Sequence, residues 1–297
     1  MGLSQRLRLD GQVAFVTGGG GGIGRAIALG LAEAGAEVAV FDIAPERCDE
    51  TATRIGELGR QALPMPGDVM DGDALRAAIQ KVDERFGRLD ILVNNAGGVS
   101  ARPFLEQSER SWRRHIDINL VSMMTATHAA APIMIRGARG GSILNVASIE
   151  ASRAAPNFAV YAACKAGMVN FTQTMAVELS AHAIRVNCIA PDHTTTPGTM
   201  GNRAGPVDPG SWRLRPDAEI DAMNRLIPLG REGLDTECGD AAVFLCSAMA
   251  NYVTGTVLPV DGGTSAAGGW VRARDGAWTL NEGLRFGGNS HPQGNRS

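Results

Sequence analysis

An α/β domain on a doubly wound, seven-stranded parallel sheet is the fold class that this 297-residue sequence predicts. Three observations predict it. Between residues 13 and 260, short runs of Val, Ile, Leu and Ala alternate with longer stretches of helical period, as in strand–helix–strand units. The runs are nearly continuous in apolar character, Leu89–Val93 and Ser142–Val146 among them, as strands covered on both faces are. A run of glycines, Gly18 to Gly22, joins the first strand to the first helix. A single domain with strand order 3-2-1-4-5-6-7 and helices on both faces follows.

Val13–Val16 is the first strand, and Thr17, the glycines, Ile23 and Gly24 lead into an alanine-rich helix to about Ala34. Glycines there let backbone N–H groups approach a pyrophosphate at a helix N-terminus. The run fits both Gly19-x-Gly21-x-x-Gly24 and Gly18-x-x-x-Gly22-x-Gly24, so spacing alone does not choose between dinucleotide-binding families. Val38–Phe41, the second strand, closes on Asp42, about twenty residues beyond the loop, where the adenosine ribose belongs. A carboxylate there accepts both ribose hydroxyls and repels a 2′-phosphate. Gly18 to Gly22 contain no cation to offset it, and Arg47 is the nearest, so the pattern reads as NAD(H).

A helix from about Pro45 to Leu58 and a third strand, Gln61–Pro66, lead to Gly67-Asp68-Val69. A helix over about 71–86 precedes the strand Leu89–Val93, which ends in Asn94-Asn95-Ala96-Gly97. After a polar loop, a helix over about 111–135 carries Asn119, a poor helix former in mid-helix. Ser142–Val146 ends at Ser148, and a helix from Tyr161 to about His182 puts Tyr161 and Lys165, i and i+4, on one face. A phenol beside an ammonium, with a hydroxyl at a strand end, is a proton-transfer set. Ile184–Ile189 is the sixth strand, followed by Pro191-Asp192. Residues 197–216 are rich in Gly and Pro with Met200 and Trp212, the composition of a long binding loop or lid. Helices over 217–226 and 236–248 precede the seventh strand, Gly255–Val260, and Asp261-Gly262-Gly263.

Ser148 with Tyr161-x-x-x-Lys165, together with Thr17-Gly-x-x-x-Gly-x-Gly, Asn94-Asn95-Ala96-Gly97 and Asp117-Ile-Asn119-Leu, resembles the short-chain dehydrogenase/reductase family over about residues 9–263. The resemblance implies a Rossmann-type catalytic domain over 1–263, with a mobile substrate loop at about 192–226. It implies catalytic roles for four residues: Tyr161 as acid/base, Ser148 holding the substrate oxygen, Lys165 on the nicotinamide ribose, and Asn119 holding a water that links Lys165 to solvent. It also implies cofactor contacts from Gly18, Gly22, Ile23, Gly24, Asp42, Asp68, Val69, Asn95, Ala96, Gly97, Tyr161, Lys165, Pro191, Thr194 and Thr196. No metal is implied. A homotetramer through the helices around 111–135 and 160–182 is expected from the same resemblance. One departure stands out: the family's Pro-Gly is Pro191-Asp192 here, which adds a carboxylate near the nicotinamide and substrate.

The implied reaction is NAD(H)-dependent interconversion of a secondary alcohol and a ketone. Lys165 and the nicotinamide ring are expected to lower the Tyr161 phenol from ~10 by ~2–3 units. The long loop and Trp212 favour a hydrophobic hydroxyacyl or steroid-like alcohol. A 3-oxoacyl-thioester reductase and a sugar or polyol dehydrogenase are the alternatives, with Asp192 favouring the latter. An NAD-binding regulator without turnover is the reading from another class, and four intact catalytic-type residues argue against it. The net charge of -3 makes no electrostatic case for nucleic acid or an anionic membrane, and no run of eighteen apolar residues suits a bilayer. An odd count of five cysteines, without a Cys-x-x-Cys pair or an export signal, fits reduced thiols in a cytoplasm. Residues 264–297, with Trp270, Trp278 and Phe286 at eight-residue steps, are expected to form a strap as far as Phe286 and a loose end beyond it.

Overall fold

The structure is a computed structural model and describes residues 2–202 and 205–280. In chain order its elements begin with α1 (Leu3–Leu7), β1 (Val13–Thr17), α2 (Gly22–Glu33), β2 (Glu37–Asp42), α3 (Pro45–Glu57), β3 (Ala62–Pro66), α4 (Gly72–Phe86) and β4 (Ile91–Asn94). Next come α5 (Glu109–Ile116), a π-helical turn (Asp117–Val121), α6 (Ser122–Gly137), β5 (Gly141–Val146), α7 (Ala159–Glu178), β6 (Ile184–Pro191) and the two-residue β7 (Thr194–Thr195). After α8 (Asp217–Leu226), β8 (Gly233–Leu234), α9 (Asp235–Cys246) and β9 (Val257–Val260), the described chain ends in α10 (Thr264–Ala267), β10 (Val271–Arg272) and β11 (Trp278–Thr279). The main sheet runs β3-β2-β1-β4-β5-β6-β9 with every pairing parallel. This is the expected order, with the short off-sheet pair β7–β8 shifting the number of the last strand.

Successive side chains of a strand point to opposite faces, and two apolar cores follow from that rule. Ala14, Val16, Val38, Val40 and Val93 pack with Ile27 and Leu31 of α2, Cys48 and Ile55 of α3, and Ala242 and Leu245 of α9. Val13, Phe15, Phe41 and Leu92 face the other way, against Ile79 and Val82 of α4 and Ile133 of α6. Phe15 and Phe41 are fully buried or nearly so, and each contributes about 1.5–3 kcal/mol by leaving water.

The helix starts explain themselves locally. Asp71 caps α4 by accepting from the backbone N–H groups of Asp73 and Ala74, and Ser108 caps α5 through Ser111. The single helix expected over 111–135 is interrupted, because Asp117–Val121 opens into a π turn in which Ser122 N–H reaches Asp117 O. Among the described residues, only the continuous helix Glu109–Gly137 is long and apolar enough to cross a bilayer, and 44% of its most apolar window is buried inside the domain. All five cysteines are unpaired and buried, and burial pushes the Cys48, Cys188 and Cys246 thiols up to about 11. Beyond the sheet, α10 and the β10–β11 hairpin turn back towards α8, where Arg225 donates to Arg272 O at 3.4 Å. The Arg272 guanidinium stacks 4.4 Å from the Trp278 ring. The expectation for Phe286 and the end of the chain lies outside the described residues.

Candidate active site

The carboxyl ends of β1, β2 and β4 open on a crevice of about 400 Å³. Thr17 organises its floor: its hydroxyl donates to Val93 O and accepts from the N–H groups of Asn95 (3.0 Å) and Ala96 (3.1 Å). Asn95 returns the connection, its amide donating to Thr17 O and Gly18 O. Gly18 adopts φ +62°, and a Cβ on Gly24 would stand 2.1 Å from Gly18 O, so the loop closes only without side chains at both positions. The N-terminus of α2 therefore meets the crevice as bare backbone, which is the arrangement an anionic pyrophosphate needs. The chain's own features fit a dinucleotide there.

Asp42 lies at the far end, with its two oxygens held by Gly20 N–H (2.9 Å) and Ala44 N–H (3.0 Å). Arg25, buried at the start of α2, ties Gly20 O (2.9 Å) to Glu50 (2.6 Å) and so fixes the other side of the glycine turn. Of the sequence-assigned cofactor residues, Gly18, Gly22, Ile23, Gly24, Asp42, Asp68, Val69, Asn95, Ala96, Gly97 and Thr196 all line this crevice. Tyr161, Lys165, Pro191 and Thr194 lie outside its lining, the first two on α7, Pro191 at the end of β6 and Thr194 in β7. Thr194 is buried, with its hydroxyl donating to Asp192 O at 2.8 Å.

The proton-transfer set assembles beside the crevice. Ser148 ends the β5 segment, is buried, and accepts from Glu150 N–H at 3.2 Å. Lys165 is 3% exposed; its Nζ donates to Val146 O at 2.7 Å and sits 5.6 Å from the Tyr161 ring centroid. Asn119, fully buried in the π turn, donates to Gly98 O (2.8 Å) and His115 O (3.0 Å) and accepts from Gly98 N–H (3.1 Å). The Asn119 side chain thus ties the His115 carbonyl to the Gly98 backbone across the π turn. This accounts for an asparagine in mid-helix. Gly97 links the groups: a Cβ there would stand 2.8 Å from Asn119 Oδ1 and 3.6 Å from Lys165 Nζ.

The expected lowering of Tyr161 counts a cationic nicotinamide ring, and the chain's own residues act in the other direction. The Tyr161 phenol is raised rather than lowered: burial dominates, the Ser148 hydroxyl works against it by hydrogen bonding, and Glu150 and Asp192 add to the rise. Lys165 gives no lowering because its ammonium is turned under the ring towards Val146 O and is itself depressed to about 8 by burial. The stability consequence has a definite sign. Between about 8 and the ordinary value of 10.5, the unfolded chain binds the proton that the folded chain has lost, so this group's contribution to stability rises with pH. Lys165→Met removes the buried charge, so the variant should be the more stable protein at pH 7, with the gap closing by pH 10. Melting temperatures of both proteins at the two pH values check this, and a gap independent of pH would contradict it.

Asp192, where the family keeps glycine, is half-buried among charges. Its Oδ1 lies 3.6 Å from Arg153 and 3.8 Å from His193, while its Oδ2 is buried without a hydrogen-bond partner. Arg153 also pairs with Glu150 at 2.8 Å. Burial raises the Asp192 carboxyl, against the pull of His193 and Arg153. Among the described residues, no group of three His, Cys, Asp or Glu is placed to hold a metal ion. Sequence reasoning missed the parts that act through backbone. Arg25 looks like an ordinary helix cation, and nothing in its neighbours announces that it caps Gly20 O. Arg47 was singled out only by its closeness to Asp42, whereas the structure ties it to the distant carbonyls of Asn202 and Gly205.

Three comparisons bear on the site. A family model described as enoyl-(acyl carrier protein) reductase matches residues 18–265. The 3-oxoacyl-[acyl-carrier-protein] reductase of Thermotoga maritima is 37% identical over 257 residues, spanning 86% of this chain and 99% of that protein. Two solved structures are 34% identical. One is a 7α-hydroxysteroid dehydrogenase complexed with NADH and 7-oxo glycochenodeoxycholic acid (TM-score 0.80, covering 89% of this chain and 98% of that one). The other is a gluconate 5-dehydrogenase from Burkholderia cenocepacia with NADP and tartrate (TM-score 0.79, 90% and 100%).

Proposed function

Since the chain belongs to the short-chain dehydrogenase/reductase family, oxidoreductases acting on CH–OH groups, we propose that it interconverts a secondary alcohol and a ketone with NAD(H), using Tyr161 as acid/base. The observation that carries this reading is the joining of Ser148, Tyr161, buried Lys165 and Asn119 into one polar set beside a crevice that accepts a dinucleotide. Gly18, Gly22, Ile23, Gly24, Asp42, Asp68, Val69, Asn95, Ala96, Gly97, Pro191, Thr194 and Thr196 hold the cofactor, whose nicotinamide supplies or accepts the hydride. Ser148 donates to the substrate oxygen and aligns it with the phenol. In the reducing direction Tyr161 gives its proton to that oxygen; in the oxidising direction its phenolate takes one. Lys165, released from Val146 O, holds the cofactor ribose and stabilises the phenolate, and Asn119 keeps a path for the proton to solvent.

Asp42 supports NAD(H), because its carboxylate, fixed by two backbone donors, stands where a 2′-phosphate would be repelled. At ~4 Å such a pair costs roughly 1–4 kcal/mol, depending on exposure, so NADH should bind about tenfold or more tighter than NADPH. Titration of the protein's tryptophan emission with each nucleotide, followed by NAD-linked oxidation of a panel of secondary alcohols, tests the reading. Preference for NADPH would overturn the role of Asp42, and no turnover with bound NAD across the panel would favour a nucleotide sensor. For the substrate we favour a bulky alcohol with an apolar body, hydroxyacyl or steroid-like, supported by the long loop with Trp212 and exposed Leu214 and by Ile220 on α8. Asp192 favours a second reading. Its carboxylate, beside Arg153 and His193, adds polar character at the substrate end, so polyols belong in the same panel.

A further inference from the structure

We propose that Arg47 is a positioning residue that clasps the substrate loop over the adenosine end of the crevice, so that the dinucleotide enters and leaves only when the clasp opens. The inference rests on the nucleotide reading above. Arg47 stands in the first turn of α3, five residues beyond Asp42, and is only 9% exposed. Its Nε donates to Gly205 O at 2.6 Å and its Nη2 to Asn202 O at 2.9 Å, across more than 150 residues of sequence. Among the described residues no carboxylate lies within ion-pair distance of this guanidinium. A buried guanidinium is costly without acceptors, and the loop carbonyls are the acceptors it has found. Opening the loop therefore exchanges two charge-assisted hydrogen bonds for water, which gives the closed position its weight.

The loop's tip is built to be held. Asn202 donates through its side chain to Pro206 O (3.2 Å) and accepts from Asp208 N–H (3.1 Å), so the carbonyls facing Arg47 belong to a hydrogen-bonded ring. The same segment rests on the glycine turn. A Cβ on Gly21 would lie 3.3 Å from Arg47 Nη1 and 3.9 Å from Val207, and one on Gly22 would lie 3.0 Å from Thr196. Loop, arginine and glycine turn thus close around the nucleotide's end of the crevice, and Arg47 lines that crevice from within. Two of its donor nitrogens face the loop, which leaves Asp42 without a compensating cation and accords with NAD(H).

The test is kinetic. Arg47→Met is compared with the parent and with Arg47→Lys by stopped-flow energy transfer from tryptophan to NADH, and by amide hydrogen exchange of residues 198–212 without nucleotide. Charged hydrogen bonds of this kind predict that both association and dissociation of NADH quicken by about tenfold or more in the Met variant. Because both rates rise, the Kd should move much less. Exchange in the loop should quicken too, and Lys should restore part of each effect. A rise in dissociation alone would mean that Arg47 touches the nucleotide directly and would overturn the clasp, as would a selective loss of NADPH. Unchanged exchange would overturn it as well. Should the parent bind neither nucleotide, the functional reading fails, while hydrogen exchange still decides whether Arg47 holds the loop.

Discussion

Tyr161→Phe is expected to lower turnover of a secondary alcohol by about 10²–10⁴-fold, the range a positioned acid/base contributes, while NADH affinity changes by no more than a few fold. The substitution removes one hydroxyl and leaves the ring over Lys165, the Ser148 hydroxyl and the whole crevice in place. Steady-state rates and nucleotide titrations on the same preparation separate chemistry from binding. Retention of most of the turnover would remove Tyr161 from the mechanism. Loss of NADH binding instead would mean that the phenol serves the cofactor rather than the proton. The raised phenol makes a further point about direction. In the chain alone Tyr161 is a proton donor at neutral pH, and a base only where Lys165 and a cationic ring oppose the burial that raises it.

Gly24→Ala is expected to abolish nucleotide binding and to destabilise the fold by roughly 1–3 kcal/mol or more. Helix propensity alone argues the other way, since alanine gains about 1 kcal/mol over glycine inside a helix. Sterics decide the sign. The new Cβ would stand 2.1 Å from Gly18 O and 2.3 Å from the Asn95 amide, and both are held in place, Gly18 O by Asn95 and Asn95 by Thr17. Gly56→Ala is the matched control: in exposed α3, with nothing within 4 Å of its Cβ, it should stabilise by about 0.5–1 kcal/mol. Thermal melts of the two variants should therefore shift in opposite directions. A Gly24→Ala protein that melts with the parent and binds NADH would show that the turn can relax.

The fold was legible because its rules are local and repeated. Continuous apolar runs, period-3.6 patterns, the glycine run after β1 and the strand-end residues Asp42, Asn94 and Ser148 each carry their meaning within a few positions. The same holds for Tyr161 and Lys165, which a single helical turn relates. What the sequence concealed depends on contacts between distant segments. Arg47 finds Asn202 and Gly205, and Arg25 finds Gly20 O and Glu50, through packing that no spacing encodes. The direction of the Lys165 ammonium was hidden for the same reason, because it is set by Val146 O on a neighbouring strand. The π turn was hidden because Asn119, a poor helix former, marks the place without showing a changed hydrogen-bond register.

That turn also governs the azimuth of everything beyond it. Each residue of an α-helix advances about 100° around the axis, so the extra residue held in Asp117–Val121 sets which way the whole of Ser122–Gly137 faces. Met123, Ala126, Ala130 and Ile133 point inwards because the π turn absorbs that residue. Forcing 117–121 into a regular screw with all its residues kept would rotate four turns of helix out of phase with the sheet. The wide turn thus lets one helix serve two purposes: its spare residue brings Asn119 to Gly98, while the face beyond it keeps its place on the sheet.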